Sequence, residues 1–191
     1  MPEDNKEHRI IDAALQLFSE QGYHKTTVSQ IAQEAEVAKG TVYWYFDSKK
    51  DLFRGILISG IEKLHCRVKK TIAKENTAIN KLERLVELFL EFFKNGQQVS
   101  KMYEENTTSI DAEFKEKLIE LREDMIITIA TIIEEGKKSG ELKSEINNQE
   151  LANLLLGMTK VYNPHFCNTE FISIDKAQLI LDVFLNGIGK E

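Results

Sequence analysis

The sequence predicts an all-α protein, and three observations support this fold class. Only two prolines, Pro2 and Pro164, occur among the 191 residues, so almost the whole chain is free to form helices. No segment shows the sustained alternation of apolar and polar residues that is typical of a β-strand. Apolar residues instead recur at intervals of three and four, the spacing that gathers them on one face of a helix.

The first two predicted helices are short and are bounded by recognisable signals. An apolar stripe predicts a helix from about Asn5 to Gln21, and Gly22 suits the left-handed position that follows a helix end. Thr27 and Gln30 have the spacing of a capping box, in which each side chain bonds the other residue's backbone amide. We therefore expect a second helix to begin directly after Thr27.

The third predicted helix, roughly Lys39 to Tyr45, has an outer face that an isolated surface helix would not carry. If Val42 faces the core, a rotation of about 100° per residue places Trp44 about 200° away, on the opposite side. A glycine and aromatic rings lie where Glu, Lys or Ala would be expected. Two short helices joined by a tight turn, the second with such a face, indicate a helix-turn-helix that enters the DNA major groove. The outward set is Gly40, Thr41, Tyr43 and Trp44.

A long fourth helix is predicted to begin at its N-cap, Ser48, and to reach about Lys74. At about 1.5 Å per residue its length is roughly 40 Å, which is enough to join a small domain to a second body. We expect an N-terminal three-helix domain over residues 1–47 and a larger helical domain over residues 48–191.

Four further apolar helices are predicted in the larger domain. The last two, about Gln149 to Asn163 and Ile174 to Gly189, are apolar on more than one face. Leu154, Leu155 and Leu156 illustrate this, because three successive residues of a helix point in three directions. Helices of this kind require packing partners on two sides.

Composition excludes several functional classes. The two cysteines, Cys66 and Cys167, are too few and too far apart for a disulfide framework or a zinc site, and the four histidines form no metal-binding pattern. No apolar run approaches the roughly 20 residues that cross a bilayer, and the charged N-terminus does not resemble a signal peptide. We therefore expect a cytoplasmic protein with no cofactor, no metal site and no membrane insertion.

The formal net charge of -6 argues at first against nucleic-acid binding, because Lys and Arg side chains must neutralise phosphates. The distribution of charge is more informative than its sum. Between residues 37 and 54 there are four basic side chains and two acidic ones, so the region around the third helix is locally basic. The basic residues are Lys39, Lys49, Lys50 and Arg54, and the acidic ones are Asp47 and Asp51.

The run TTVSQIAQEAEVAKGTVYWYFDSKKDLF resembles the DNA-binding signature of TetR-family transcriptional regulators, in which T-V-x-x-I-A precedes K-G-T-x-Y-x-Y/H-F-x-x-K-x-x-L. The resemblance covers roughly residues 9 to 57. The later helices are similar in number and length to the family's ligand-binding and dimerisation domain. The resemblance implies that residues 48–191 form that domain, and that the last two predicted helices build a homodimer. It also implies double-stranded operator DNA and a small-molecule effector as partners.

The same resemblance assigns DNA contacts to eight residues. Phosphate contacts are implied for Thr27, Tyr45 and Lys49, and base-edge contacts for Lys39, Gly40, Thr41, Tyr43 and Trp44. Other interpretations stay open for several of them. The rings of Tyr43 and Trp44 could also pack inside the small domain, although the helical phase favours a DNA-facing Trp44. Tyr45 could pack inside the small domain, Lys49 could belong to a solvated helix start, and Thr27 is a structural cap in either case.

Two positions depart from the family pattern. Many members carry Gly and Ser where this chain has Glu36 and Ala38. Ala38 can neither cap the recognition helix nor bond a phosphate, and replacing a Ser cap by Ala typically costs about 1 kcal/mol. The base preferences of other members therefore do not transfer to this chain.

Several large apolar side chains of the C-terminal domain could either line an effector pocket or pack in the helical core, and core packing is the commoner role for each one. Their chemistry suggests an apolar or amphipathic effector. These candidate ligand-binding residues are Phe89, Phe93, Met102, Tyr103, Met125, Met158 and Tyr162.

The sequence thus predicts a sequence-specific, homodimeric transcriptional regulator, a repressor whose operator binding is controlled by an effector in the C-terminal domain. A helical binding module whose helix-turn-helix contacts another protein is the first alternative. A helical enzyme is the second, although the sequence shows no cluster of titratable residues of the kind that an active site needs. Salt-sensitive binding to operator DNA distinguishes the regulator from both alternatives.

Overall fold

A computed structural model describes residues 3–96, 111–162 and 174–186 of the chain. These residues form eight helices and no strand, so the predicted all-α class is confirmed. None of the described helices is long and apolar enough to span a membrane. The helices are α1 (Glu3–Gln21), α2 (Val28–Glu34), α3 (Lys39–Tyr45), α4 (Lys49–Ile72), α5 (Ala78–Asn95), α6 (Ala112–Ser139), α7 (Asn148–Lys160) and α8 (Ile174–Asn186).

The chain divides into two compact units. Unit 1 consists of Met1–Ile61 and Gln98–Lys117, and unit 2 consists of Glu62–Gln97 and Leu118–Glu191. Helices α4 and α6 therefore contribute residues to both units. The boundary predicted between residues 47 and 48 lies inside unit 1, because the first half of α4 packs with the N-terminal helices. The assignment of DNA binding to residues 1–47 stays a prediction.

Unit 1 is built around α1, α2 and α3, which pack against one another, and the start of α4 completes its core. Phe46, the C-cap residue directly after α3, packs closely against α4. A Cβ placed on Gly55 would lie 2.8 Å from the Phe46 ring, so a glycine is needed at that point of α4. Each of these four helices contributes buried residues to this core. Among them are Ile10, Ala14, Phe18, Ile31, Ala32, Val42, Leu52, Phe53 and Ile56.

Unit 2 has a separate apolar core in which α5 packs against α7 and α8, and α7 packs against α8. Side-chain caps define where two of these helices begin. The Thr77 hydroxyl accepts a hydrogen bond from the Asn80 amide at the start of α5, and Asn147 accepts from two amides at the start of α7. Gly136 of α6 leaves room for neighbouring side chains, because a Cβ there would lie 2.7 Å from Leu142.

Candidate nucleic-acid interface

The outer face of α3 is exposed as its sequence predicts. Val42 is buried in the core of unit 1, whereas Trp44 is 68% exposed and Tyr43 is 47% exposed. The predicted orientation of the helix is therefore confirmed. The Trp44 ring lies edge-on against Tyr45 at a centroid distance of 4.5 Å, and the Lys39 ammonium lies 5.9 Å from the Tyr43 ring centroid. Both rings therefore keep a large exposed surface despite these contacts.

Gly40 lies on the same exposed face, and the fold of the described residues gives no reason for a glycine there. A Cβ at this position would meet no atom within 4 Å. Glycine inside a helix is less favourable than alanine by roughly 0.5–1 kcal/mol, so its presence has a cost. A glycine that the protein's own packing does not need is suited to the close approach of another molecule. This supports Gly40 as a contact position.

Tyr45 occupies an intermediate position at the end of α3. Its ring is half-buried and packs against the core of unit 1. Of the two interpretations left open by the sequence, packing inside the small domain describes the ring. A phosphate contact from the phenol hydroxyl stays a prediction.

Thr27 caps α2 as predicted, and both bonds of the capping box are present. Its hydroxyl accepts from the Gln30 amide at 3.2 Å, while the Thr27 amide donates to the Gln30 side-chain oxygen at 2.8 Å. The exposed Thr27 amide is thus already bonded in the protein alone. A DNA phosphate that accepted from this amide would have to displace the Gln30 side chain.

Lys49 at the start of α4 is tied to the protein. Its ammonium donates to the backbone carbonyls of Tyr23 at 2.6 Å and Thr26 at 2.8 Å, and it lies 4.2 Å from the centroid of the Tyr23 ring. Burial of the side chain lowers the pKa of Lys49. The side chain therefore fastens α4 to the loop between α1 and α2, and it is not simply solvated. Its predicted phosphate contact stays a prediction.

The turn between α2 and α3 is held by a residue that the sequence did not single out. The Arg9 guanidinium donates to the carbonyls of Ala35 and Glu36 and pairs with the Glu36 carboxylate at 3.4 Å. Glu36 itself has φ of +52°, a left-handed conformation that favours glycine. At the next boundary, Ala38 precedes α3 without a side-chain cap, as expected for alanine.

Comparison with known proteins identifies the family. The sequence matches "Bacterial regulatory proteins, tetR family" over residues 10–56 and "Tetracyclin repressor-like, C-terminal domain" over residues 75–163. The chain belongs to the TetR family. The match to both regions confirms the predicted family and shows that the chain is a DNA-binding transcriptional regulator.

Several regulatory proteins resemble the chain over most of its length. The fatty acid metabolism regulator protein of Bacillus subtilis strain 168 is 27% identical over 149 residues, which are 78% of this chain and 77% of that protein. FadR from Bacillus subtilis in complex with stearoyl-CoA has a TM-score of 0.77 at 23% identity, covering 95% of this chain and 99% of that one. FadR from Bacillus halodurans has a TM-score of 0.79 at 21% identity and full coverage of both chains. At these identities the two structures confirm the TetR fold, and all three relatives are regulators rather than enzymes.

The candidate effector residues of this TetR-family chain lie in or against the core of unit 2. Phe89 and Met125 are buried in that core, and Phe93, Met158 and Tyr162 are partly buried against it. Their role in effector binding stays a prediction, because core packing accounts for each contact. Met102 and Tyr103 lie outside the described residues.

Proposed function

We propose that the protein is a homodimeric repressor that binds operator DNA through the exposed face of α3 and leaves it when an effector binds. The observation that carries this proposal is the 68% exposure of Trp44 on a helix whose opposite side, at Val42, is buried. A large ring on a surface helix removes apolar area from water only when another molecule covers it. Family membership makes DNA the expected partner.

The proposed DNA contacts fall into two groups. Trp44 can contact a thymine methyl group, while a lysine ammonium and a tyrosine hydroxyl can bond base-edge atoms. Lys49 supports this surface by holding the start of α4, and its ammonium has a third N–H that can donate to a phosphate while two others bond the Tyr23 and Thr26 carbonyls. The proposed base-edge residues are Lys39, Gly40, Thr41, Tyr43 and Trp44, and the proposed phosphate contacts are Thr27, Tyr45 and Lys49.

The proposed dimer interface is the outer face of α7 and α8. Four large apolar residues are exposed there: Leu154, Val161, Leu179 and Val183. Leu154 of α7 and Val161, the C-cap residue directly after α7, are seven residues apart. Leu179 and Val183 are four residues apart on α8, so each pair lies on one side of its helix. A second copy of the chain would cover both sides and form a four-helix bundle. A twofold dimer contacts two half-sites when its recognition helices are about 34–36 Å apart, or a multiple of that distance.

The proposed effector is a small apolar or amphipathic molecule bound in the C-terminal domain. The Phe and Met side chains in and around the core of unit 2 support this chemistry, and the complex of Bacillus subtilis FadR with stearoyl-CoA is a precedent in the same fold. Release from the operator requires the effector to bind the non-operator conformation more tightly than the operator-binding one. A chain that regulates chromosomal operators acts in the cytoplasm, which is the location we propose.

The proposal is tested by titrating the protein onto labelled DNA from the region upstream of its own gene. Fluorescence polarisation at several salt concentrations should show saturable binding that weakens steeply as salt rises, because phosphate contacts release counterions. A shuffled fragment of equal length and composition is the matched control and should bind much more weakly. Equal affinity for both fragments would contradict operator recognition, and the absence of salt-sensitive binding to either would contradict the function.

A further inference from the structure

One ion pair links the start of α4 to the start of α6, 57 residues further along the chain. The Asp111 carboxylate pairs with the Arg54 guanidinium and also accepts a hydrogen bond from the Phe114 amide at 3.0 Å. The Arg54 guanidinium carbon lies 5.6 Å from the centroid of the Phe114 ring. Asp111, Arg54 and Phe114 all belong to unit 1. We call these three residues the α4–α6 clamp.

The exposure of the two ion-pair partners shows which side chain the α4–α6 clamp holds in place. The Arg54 side chain is only 17% exposed, whereas that of Asp111 is 49% exposed. The pKa of Asp111 lies below its ordinary value, mainly because the Phe114 amide donates to the carboxylate, and the positive charges of Arg54 and Lys50 lower it further. The carboxylate is therefore ionised wherever the protein is folded at neutral pH, and it holds a largely enclosed guanidinium in place.

The charge of Asp111 is not needed for its capping role. Asparagine caps a helix about as well as aspartate, because the side-chain oxygen accepts the same amide hydrogen bond. What only the carboxylate supplies is the second acceptor oxygen, Oδ2, and the negative charge that pairs with Arg54, because asparagine carries an NH2 donor in place of that oxygen. The two roles of Asp111 are thus separable by a single substitution.

Arg54 lies where α4 meets the recognition helix. Its neighbour Gly55 packs against Phe46, the C-cap residue of α3. Lys49 at the start of α4 donates to the carbonyls of Tyr23 and Thr26. Because α4 packs directly against the end of α3 at this point, a displacement of this turn of α4 also displaces α3. We propose that Asp111 is a positioning residue for operator binding, acting through Arg54 on the first two turns of α4 and thereby on α3.

The inference rests on the proposed function, and it makes its own prediction about how operator affinity depends on salt concentration. A side chain that contacts a phosphate contributes about one unit to the slope of log affinity against log salt concentration. A positioning residue contributes nothing to that slope, since no phosphate contact is lost when it changes. Loss of the clamp should therefore weaken operator binding at every salt concentration by the same factor.

The experiment compares full-length Asp111→Asn, Arg54→Gln and the double variant with the wild type. Operator affinity is measured by polarisation at four salt concentrations, and helix content by circular dichroism. Each single substitution should weaken binding about threefold to tenfold, a size typical of residues that couple distant parts of a protein. The double variant should bind no more weakly than the weaker single variant, because both substitutions remove the same interaction. All salt slopes should equal that of the wild type.

Glu134→Gln is the matched control, because it removes an exposed ion pair with Lys138 on the same helix α6 but in unit 2. It should leave operator affinity unchanged. Wild-type affinity in Asp111→Asn, additive losses in the double variant, or a shallower salt slope in Arg54→Gln would each overturn the inference. Failure of the wild type to bind the operator at all would instead contradict the proposed function.

Discussion

Gly40 gives the clearest residue-scale prediction, because its two expected effects have opposite signs. Gly40→Ala should raise the free energy of unfolding by up to about 1 kcal/mol, since alanine favours the helix and its Cβ meets no atom within 4 Å. The same Cβ should weaken operator binding tenfold or more, about 1.4 kcal/mol, if the backbone of α3 approaches the bases. Thermal unfolding and polarisation measure the two effects. A more stable variant with unchanged operator affinity would remove Gly40 from the interface.

Glu36 gives a prediction about stability alone. Its left-handed backbone costs a side-chain-bearing residue about 1 kcal/mol or more, and glycine avoids that cost. Glu36→Gly should therefore unfold at a higher denaturant concentration than the wild type. Glu36→Ala is the control, because it removes the same exposed carboxylate opposite Arg9 and keeps the backbone cost. Equal stability of the Gly and Ala variants would show that the turn is not strained.

A substitution at Lys49 distinguishes a structural role of this side chain from a DNA contact. Lys49→Met removes the donor for two carbonyls, so it should lower the free energy of unfolding by about 1–3 kcal/mol. Chemical denaturation measures this loss. A variant with wild-type stability and a salt slope reduced by about one unit would support the phosphate contact instead.

At the residue scale, the sequence predicts what depends on near neighbours. The capping box of Thr27 and Gln30 and the outward direction of Trp44 follow from spacing within one helix, and both predictions are confirmed. Lys49 and Arg9 have partners 23 to 27 residues away, so no local pattern indicated them. Such contacts depend on how helices pack, which residue spacing does not reveal.

At the scale of elements, boundaries set by caps and turn residues were predictable. The bounds of α3 agree with the sequence prediction, whereas α4 ends at Ile72, about two residues before the predicted end near Lys74. Beyond Ile72 the amides of Lys74 and Glu75 bond carbonyls only three residues back, which tightens the last turn. No glycine or proline marks the end of α4. The prediction therefore rested on apolar spacing alone and put the end of the helix about two residues too far along the chain.

The exposed faces of α7 and α8 give the prediction for the dimer. Leu154→Glu places a charge in the proposed interface, so the variant should be monomeric at micromolar concentration and should bind operator DNA poorly. Light scattering measures the mass. Ile127→Glu is a closely matched control, because Ile127 on α6 is 56% exposed and Leu154 is 57% exposed. A dimeric Leu154→Glu variant, or dissociation caused by Ile127→Glu, would place the interface elsewhere.

At the scale of the whole molecule, the sequence predicted the order of helices better than their grouping into compact units. Residues 111–117 belong to unit 1, although Glu62–Gln97 of unit 2 lies between them and Ile61 in the sequence. The ion pair of Arg54 with Asp111 is one contact in this grouping, and neither residue carries a local signal for it. Compact units depend on contacts between distant segments, and one sequence does not show which segments meet.

The central claim is that the outer face of α3 binds operator DNA, and Trp44 tests it directly. Trp44 is the only tryptophan in the chain and is 68% exposed, so its fluorescence reports on this face alone. Titration with an operator fragment should shift the emission maximum of Trp44 and change its intensity. Both changes should follow the binding curve measured by polarisation. Emission that stays unchanged at saturating operator DNA would contradict the claim.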